Sequence, residues 1–139
     1  MIIKQYDYLP QDARLIRTEV FIREQGFTDE FDETDDIAVH IVAYENSVPI
    51  AVCRVFHDEG KQAYLIGRIA VLKEMRGKHV GEKIVAAAEK YIKSKGGGYS
   101  MLSAQVRVKS FYSKQGYVEE GNVYLDEDCP HILMKKKLD

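Results

Sequence analysis

Residues 63 to 105 constrain the fold of this chain more than any other stretch. "AYLIGRIAVL" is a β-branched, apolar run with the length and composition of a strand. "EMRGKHVGEKI", residues 74–84, turns the chain. Val80, Ile84, Ala87, Ala88, Tyr91 and Ile92 then recur at three- and four-residue spacings, the pattern of an amphipathic helix. Three glycines at 96–98 stop that helix, and "YSMLSAQ" reads as another strand. Strand, helix and strand in this order predict a crossover unit whose two strands lie parallel.

The flanks extend the pattern. "IIKQYDY" is a first strand, and "LPQDARLIRTEVFIREQG" a helix with Pro10 in its first turn and Gly26 past its end. "IAVHIVAYE" and "VPIAVCRVF" flank Asn46-Ser47 as a hairpin, and "DEG" at 58–60 turns into the strand that opens the crossover unit. "VKSFYSKQG" is a short helix ending at Gly116, and "HILMKKKL" a last strand. The expected fold is mixed α/β, with a central twisted sheet of about six or seven strands and helices on both faces. Its 139 residues are enough for one core, so one domain over 1–139 is expected.

A formal charge of −2 supplies no basic field for nucleic acid or an anionic membrane. No apolar stretch approaches the roughly twenty residues of a bilayer span. The start, "MIIKQYDYLP", lacks the apolar segment of a secretory signal, so a cytoplasmic protein is expected, with Cys53 and Cys129 as reduced thiols.

The turn that opens the helix has two readings. The first N–H groups of a helix lack intrahelical partners, and the dipole adds about half a positive charge there. Gly77 and Gly81 let a ligand approach the backbone, and Arg76 and Lys78 add cations, which together make a pyrophosphate cradle. The other reading is a polar corner with no ligand. Neither the Walker spacing nor the Rossmann glycine fingerprint is present.

"AQVRVKSFYSKQGY" lies downstream at the other end of the crossover unit. Together, the two stretches resemble the GNAT superfamily of acetyl-CoA-dependent N-acetyltransferases. That family's R/Q-x-x-G-x-G/A motif is matched by Arg76-Gly77-Lys78-His79-Val80-Gly81. Its later aromatic motif is matched by Phe111-Tyr112 and Gly116-Tyr117, with Gln105 where the family has Asn. "VFIREQ", "VH" at 39–40, "IGRIAV", "AQ" and "CPHILM" are similar to the small bacterial ElaA-like branch.

The resemblance implies a GNAT-type domain with a splayed parallel strand pair and acetyl-CoA as co-substrate, without a metal. It implies that the main chain of Ile69, Ala70 and Val71 runs along the pantetheine arm, with an N–H of Val71 facing the oxyanion. Residues Arg76 to Gly81, including Lys78, His79 and Val80, would hold the pyrophosphate. Gln105 and Phe111 would line the arm, and Tyr112 would be the general acid. The acceptor implied is a primary amine attacking directly.

Two positions depart from the family: His79 stands at its first glycine, and Gly67 where many members carry a glutamate base. Glu24, His40 and His131 are the remaining candidates for base or substrate contact. A coenzyme A module without catalysis, or a binder of another phosphorylated ligand, would use the same cradle.

Other features carry less. "TDEFDETDD" reads as a solvated acidic loop, and it lacks the glycine of a calcium loop, so no metal site is expected. Cys53 reads as a small buried hydrophobe, and Cys129 with His131 lacks a third partner for nucleophilic catalysis. "KKK" at 135–137 reads as a charged strand end that discourages edge pairing. Oligomeric state is open, a homodimer included.

Overall fold

A computed structural model describes residues 1–139. Its strands are β1 (Ile2–Tyr6), β2 (Val39–Glu45), β3 (Val48–Asp58), β4 (Ala63–Val71), β5 (Tyr99–Gln105), β6 (Val118–Asp126) and β7 (Cys129–Lys137). Its α-helices are α1 (Gln11–Arg17), α2 (Val80–Ser94) and α3 (Lys109–Ser113). The seven strands form one sheet in the order β1-β2-β3-β4-β5-β7-β6. Every neighbouring pair is antiparallel except β4 and β5.

The β2–β3 hairpin turns through Asn46 and Ser47 at φ 51° and 68°, the paired left-handed conformation that matches strand twist. The crossover from β4 through α2 to β5 is parallel as expected. Its ladder covers only Tyr64–Ser100, Leu65–Met101 and Ile66–Leu102. Beyond Ile66, β4 runs on against β3 alone.

The cause is local. Between the pairs Val52–Ala70 and Arg54–Gly67, β4 has two residues, Arg68 and Ile69, where β3 has one. Arg68 takes φ 50°. A bulge of this kind bends its strand and sharpens the twist. Here it accompanies the opening of a wedge between β4 and β5.

Each face carries its own core. Ile84, Val85, Ala88 and Ile92 of α2 pack on Ile41, Cys53, Ile66, Leu102 and Met134. Ala13, Ile16 and Val20 pack on Val42, Val52 and Ala70 on the other face. Burying one such Ile or Leu contributes about 1.5–3 kcal/mol, so the two faces clamp the sheet from both sides.

Four local expectations need revision. The first helix changes geometry at Thr18 and continues as a π-helical segment, Thr18–Glu24, before Gly26 ends it at φ 80°. Gly97 is more than a stop signal: a Cβ there would meet Ile92 Cγ2 at 2.4 Å, so α2 and the following turn can close together only around glycine. Of Lys135–Lys137, Lys135 is paired on both sides, with Met101 and Val118, while Lys136 and Lys137 pair only with β5, so the charged run guards an open edge just at the end of β7. The edges are β1 and β6.

The fourth revision concerns the acidic loop. Glu30 and Asp35 are buried at 4% exposure each, so the segment is not simply solvated. Three arginines from separate elements meet three of its carboxylates in a closed, alternating ring. Arg17 Nε lies 2.8 Å from Glu30, Arg68 Nε 3.0 Å from Glu30, and Arg68 Nη2 3.3 Å from Asp32. Arg54 Nη1 lies 2.6 Å from Asp32 and 2.9 Å from Asp35, and Arg17 Nη1 2.7 Å from Asp35.

Burial pushes the Asp35 carboxyl upward, but hydrogen bonds from Arg17 and Arg54 outweigh it and hold the group well below the usual carboxylate range. Removing one member of a buried pair costs about 3–5 kcal/mol because the other charge is left bare. The ring therefore ties the loop to the start of the β4 bulge.

Candidate active site

The wedge between β4 and β5 opens into a groove of about 1020 Å³. Gly67 to Val71 of β4 form one wall, with Gly77, His79, Val80 and Gly81 at one end and Ser103, Gln105 and His131 opposite. Leu72 N–H donates to Ile50 O at 2.9 Å, toward β3. Successive strand amides point to opposite edges, so the N–H of Val71 points to the groove edge. Ile69, Ala70 and Val71 all line the groove.

At the cradle, Gly77 takes φ 79° with nothing within 4 Å of a would-be Cβ, which leaves open space at the backbone. His79 also adopts the left-handed region, φ 63°, a conformation that disfavours a side chain. Its ring turns out toward solvent, and Nδ1 lies 2.6 Å from Glu82 of the first turn of α2.

Gly81 has a second reason to be glycine. A Cβ there would stand 2.9 Å from Phe111 Cζ, so α2 meets α3 through that missing side chain. Lys78 is exposed and does not line the groove, so its cation does not reach the wall as expected.

Arg76 reaches the cradle already engaged. Its two terminal nitrogens lie 2.6 and 2.7 Å from the two Glu24 oxygens, and Nε donates to Val71 O at 3.0 Å. The Arg76 hydrogen bond holds the Glu24 carboxyl below its ordinary value. Glu24 is thus an ion-pair partner of the cradle and not a free base.

Tyr112 lines the groove at 8% exposure, packed edge-on against Phe111 at 5.0 Å and Tyr117 at 6.2 Å. Its hydroxyl makes no hydrogen bond within the protein and is not fully enclosed. Burial, with the nearby Cys53, raises the phenol above its ordinary value, and it stays protonated.

His131 faces the groove from β7 and stacks on Tyr124 at 6.1 Å. Its Nδ1 bonds Cys129 O at 2.7 Å. A carbonyl only accepts, so neutral His131 carries its proton on Nδ1 and offers Nε2 as an acceptor. Gln105 donates to Gln25 at 2.9 Å and accepts from Arg107 at 3.0 Å.

His40 must be dropped as a base. It is fully enclosed, does not line the groove, and donates from Nε2 to Asp35 O at 3.0 Å. Burial depresses its pKa, so it sits neutral in the core.

Glu30, Arg54 and Arg68 are groove residues with no site role expected from the sequence. Arg68 adjoins Gly67 on the motif strand, the one local signal that could mark it. Nothing local marks the other two.

A parallel pair splayed over such a groove is the architecture of an acetyltransferase. The family described as "Acetyltransferase (GNAT) domain" matches residues 6–138. A Bacillus subtilis (strain 168) protein whose name describes an acetyltransferase is 37% identical over 131 residues, covering 89% of this chain and 86% of that one. Protein ElaA of Escherichia coli (strain K12) is 26% identical over 128 residues, covering 88% and 84%.

The Escherichia coli ElaA crystal structure matches 99% of this chain and 100% of its own at TM-score 0.86 and 23% identity, a likeness of fold. An aminoglycoside 6'-N-acetyltransferase complexed with coenzyme A shares the fold at TM-score 0.75 and 16% identity, covering 99% of this chain and 97% of that one. This chain belongs to the GNAT acetyltransferase family and resembles its ElaA-like branch. No helix is long and apolar enough to cross a membrane.

Proposed function

We propose that this protein transfers acetyl from acetyl-CoA to a primary amine by direct attack. The observation that carries the reading is the free edge of β4 from Gly67 to Val71, set along a groove that Tyr112 also lines. Ile69, Ala70 and Val71 hold the pantetheine arm as an added strand would be held. The N–H of Val71 faces the developing oxyanion, and one such donor contributes about 3–4 kcal/mol in a site without water. Residues Arg76 to Gly81 take the pyrophosphate, with Gly77 supplying the close backbone approach and Arg76 the charge.

Tyr112 acts on the leaving thiolate. A thiol titrates near pH 8.5 and a phenol near 10, so transfer is uphill by about 2 kcal/mol even before burial raises the phenol. Its contribution is therefore largest as a hydrogen-bond donor that stabilises the sulfur as negative charge builds. Full proton delivery comes late. His131 Nε2, an acceptor on the opposite wall, is a base candidate for the amine.

Two measurements test the reading. Acetyl-CoA at a hundred times its dissociation constant adds about 2.7 kcal/mol of stability and should raise the melting temperature. Release of free CoA thiol should accompany at least one amine in a screen of amino sugars, polyamines, simple amines and peptides. Unchanged melting in millimolar acetyl-CoA contradicts the proposal. Binding without thiol release from any amine supports a non-catalytic coenzyme A module instead, the reading that Gly67 favours.

A further inference from the structure

Gly67 leaves the motif strand without a carboxylate, yet the groove contains a buried one from elsewhere. Glu30 belongs to the loop between the π-helical segment and β2, and its side chain is 3% exposed. It lines the same groove as Gly67 and lies against Arg68, the next residue of β4.

Both of its cationic partners sit on one oxygen: Arg17 Nε at 2.8 Å and Arg68 Nε at 3.0 Å from Oε2. Its main-chain carbonyl accepts from Arg17 Nη2 at 3.1 Å and Arg68 Nη2 at 3.0 Å. Oε1 has no such partner. It is not enclosed either, since the only enclosed unpartnered side-chain atoms are His40 Nδ1 and Arg54 Nε. The carboxylate is thus fixed by one oxygen and presents the other to the groove.

Arg54 backs this end of the groove. Its side chain is 6% exposed, and its unpartnered Nε lies 3.7 Å from where a Cβ on residue 67 would stand. That nitrogen is enclosed, so it packs behind the glycine and faces no ligand; the polar atom left accessible at this end of the groove is Glu30 Oε1.

We propose that Glu30 Oε1 binds the acceptor's ammonium group and takes its proton, filling the role that residue 67 cannot. The assignment rests on the acetyl-transfer reading above and narrows the acceptor to a primary alkylamine that arrives as a cation. The ammonium gives one proton to Glu30. The freed lone pair forms the C–N bond at the thioester carbonyl, and the C–S bond breaks. The nitrogen sheds its second proton and the thiolate gains one. The products are an amide and the CoA thiol, and Glu30 returns its proton to water.

The surroundings suit this chemistry. Burial raises the Glu30 carboxyl, and Arg68 and Arg17 pull it down by less, so it is a stronger base than an exposed glutamate. The charged groups that face it are Arg17 from α1, Arg54 from β3, Arg68 from β4 and Asp32 from its own loop. Because the two cations next to it are satisfied on Oε2, Oε1 is left for a donor from outside.

The test compares the parent with Glu30→Gln and Glu30→Asp, using n-butylamine and spermidine as probes with the coenzyme A complex and in the thiol-release assay. The parent should bind at least one amine. Glu30→Gln should bind it at least tenfold more weakly and turn over at least a hundredfold more slowly at pH 7.5. That deficit should shrink toward pH 9.5 as water itself deprotonates more of the amine.

Glu30→Asp should recover part of the rate and keep the parent's pH profile. Equal amine binding in parent and Glu30→Gln, or a rate deficit that stays constant with pH, overturns the assignment, as does a parent that binds neither amine. If Glu30→Gln no longer binds coenzyme A, Glu30→Asp alone decides by its pH profile. Failure of the parent to bind acetyl-CoA is the separate result that defeats the acetyl-transfer reading itself.

Discussion

Glu24 and Arg76, 52 positions apart in the sequence, meet face to face, each terminal guanidinium nitrogen on its own carboxylate oxygen. The pair joins the π-helical segment to the turn before α2. It also means that the arginine best placed to meet a pyrophosphate is already neutralised.

Releasing Arg76 should therefore strengthen coenzyme A binding. Both side chains are more than a third exposed, at 39% and 37%, and a pair of that kind contributes at most about 1 kcal/mol. Glu24→Gln should bind coenzyme A about two- to fivefold more tightly by calorimetry at low salt, and the gain should fade as salt screens it. Weaker binding would mean that Glu24 aims Arg76 at the ligand.

Tyr112→Phe keeps the ring in the core and removes a hydroxyl that makes no hydrogen bond within the protein. Its melting temperature and coenzyme A affinity should stay near the parent's. Turnover should fall by about 10²-fold or more, the range for a positioned proton donor. An unchanged rate would remove Tyr112 from the chemistry.

The cradle predicts opposite outcomes at two neighbours. His79→Gly relieves a left-handed backbone that disfavours a side chain by about 1–2 kcal/mol, which outweighs the roughly 0.5–1 kcal/mol of added chain freedom. Stability should hold or rise, and coenzyme A should bind at least as well. Gly81→Ala drives a Cβ into the Phe111 ring and should destabilise by about 1–3 kcal/mol in chemical denaturation. If Gly81→Ala proves neutral in stability, the contact between α2 and Phe111 is looser than the 2.9 Å separation implies.

His40 makes stability depend on pH. Its folded pKa is depressed by burial, so protons bind more readily to the unfolded chain. Its contribution is present in full above about pH 6.5 and is lost as the pH falls from there toward the folded value, with a slope of at most about 1.4 kcal/mol per pH unit. His40→Gln keeps a donor for Asp35 O without the titration. Melting temperatures at pH 7.5 and 5.5 should lie closer together in the variant. An identical separation would clear His40 of the effect.

The elements that announce themselves in sequence are those built from near neighbours. The spacing of Val80, Ile84, Ala88 and Ile92 is the buried stripe of α2, and Asn46-Ser47 is the hairpin turn. Six of the seven strands and the parallel pair follow from the order of such pieces, while β6 carries no stretch singled out in the sequence. What stays hidden depends on residues brought together only by folding.

Arg17, Arg54 and Arg68 lie on three elements, so the acidic loop they hold reads as solvated until the sheet assembles. Gly81 resembles a phosphate contact because its motif supplies that reading, while its packing against Phe111 depends on the placement of α3. β7 is interior from Cys129 to Lys135 because β6 comes back to cover that part of its outer edge, which no property of "KKK" could show.

On the proposed reading, the main chain of β4 beyond Ile66, together with the turn at residues 76–81, grips acetyl-CoA. A crystal structure with coenzyme A bound tests it most directly. The arm should lie in the wedge between β4 and β5, bonded to the backbone of Ile69 and Val71, with the diphosphate at Gly77 and Arg76 turned from Glu24 toward it. Coenzyme A found outside the wedge, with the β4 edge still bare, would contradict the account.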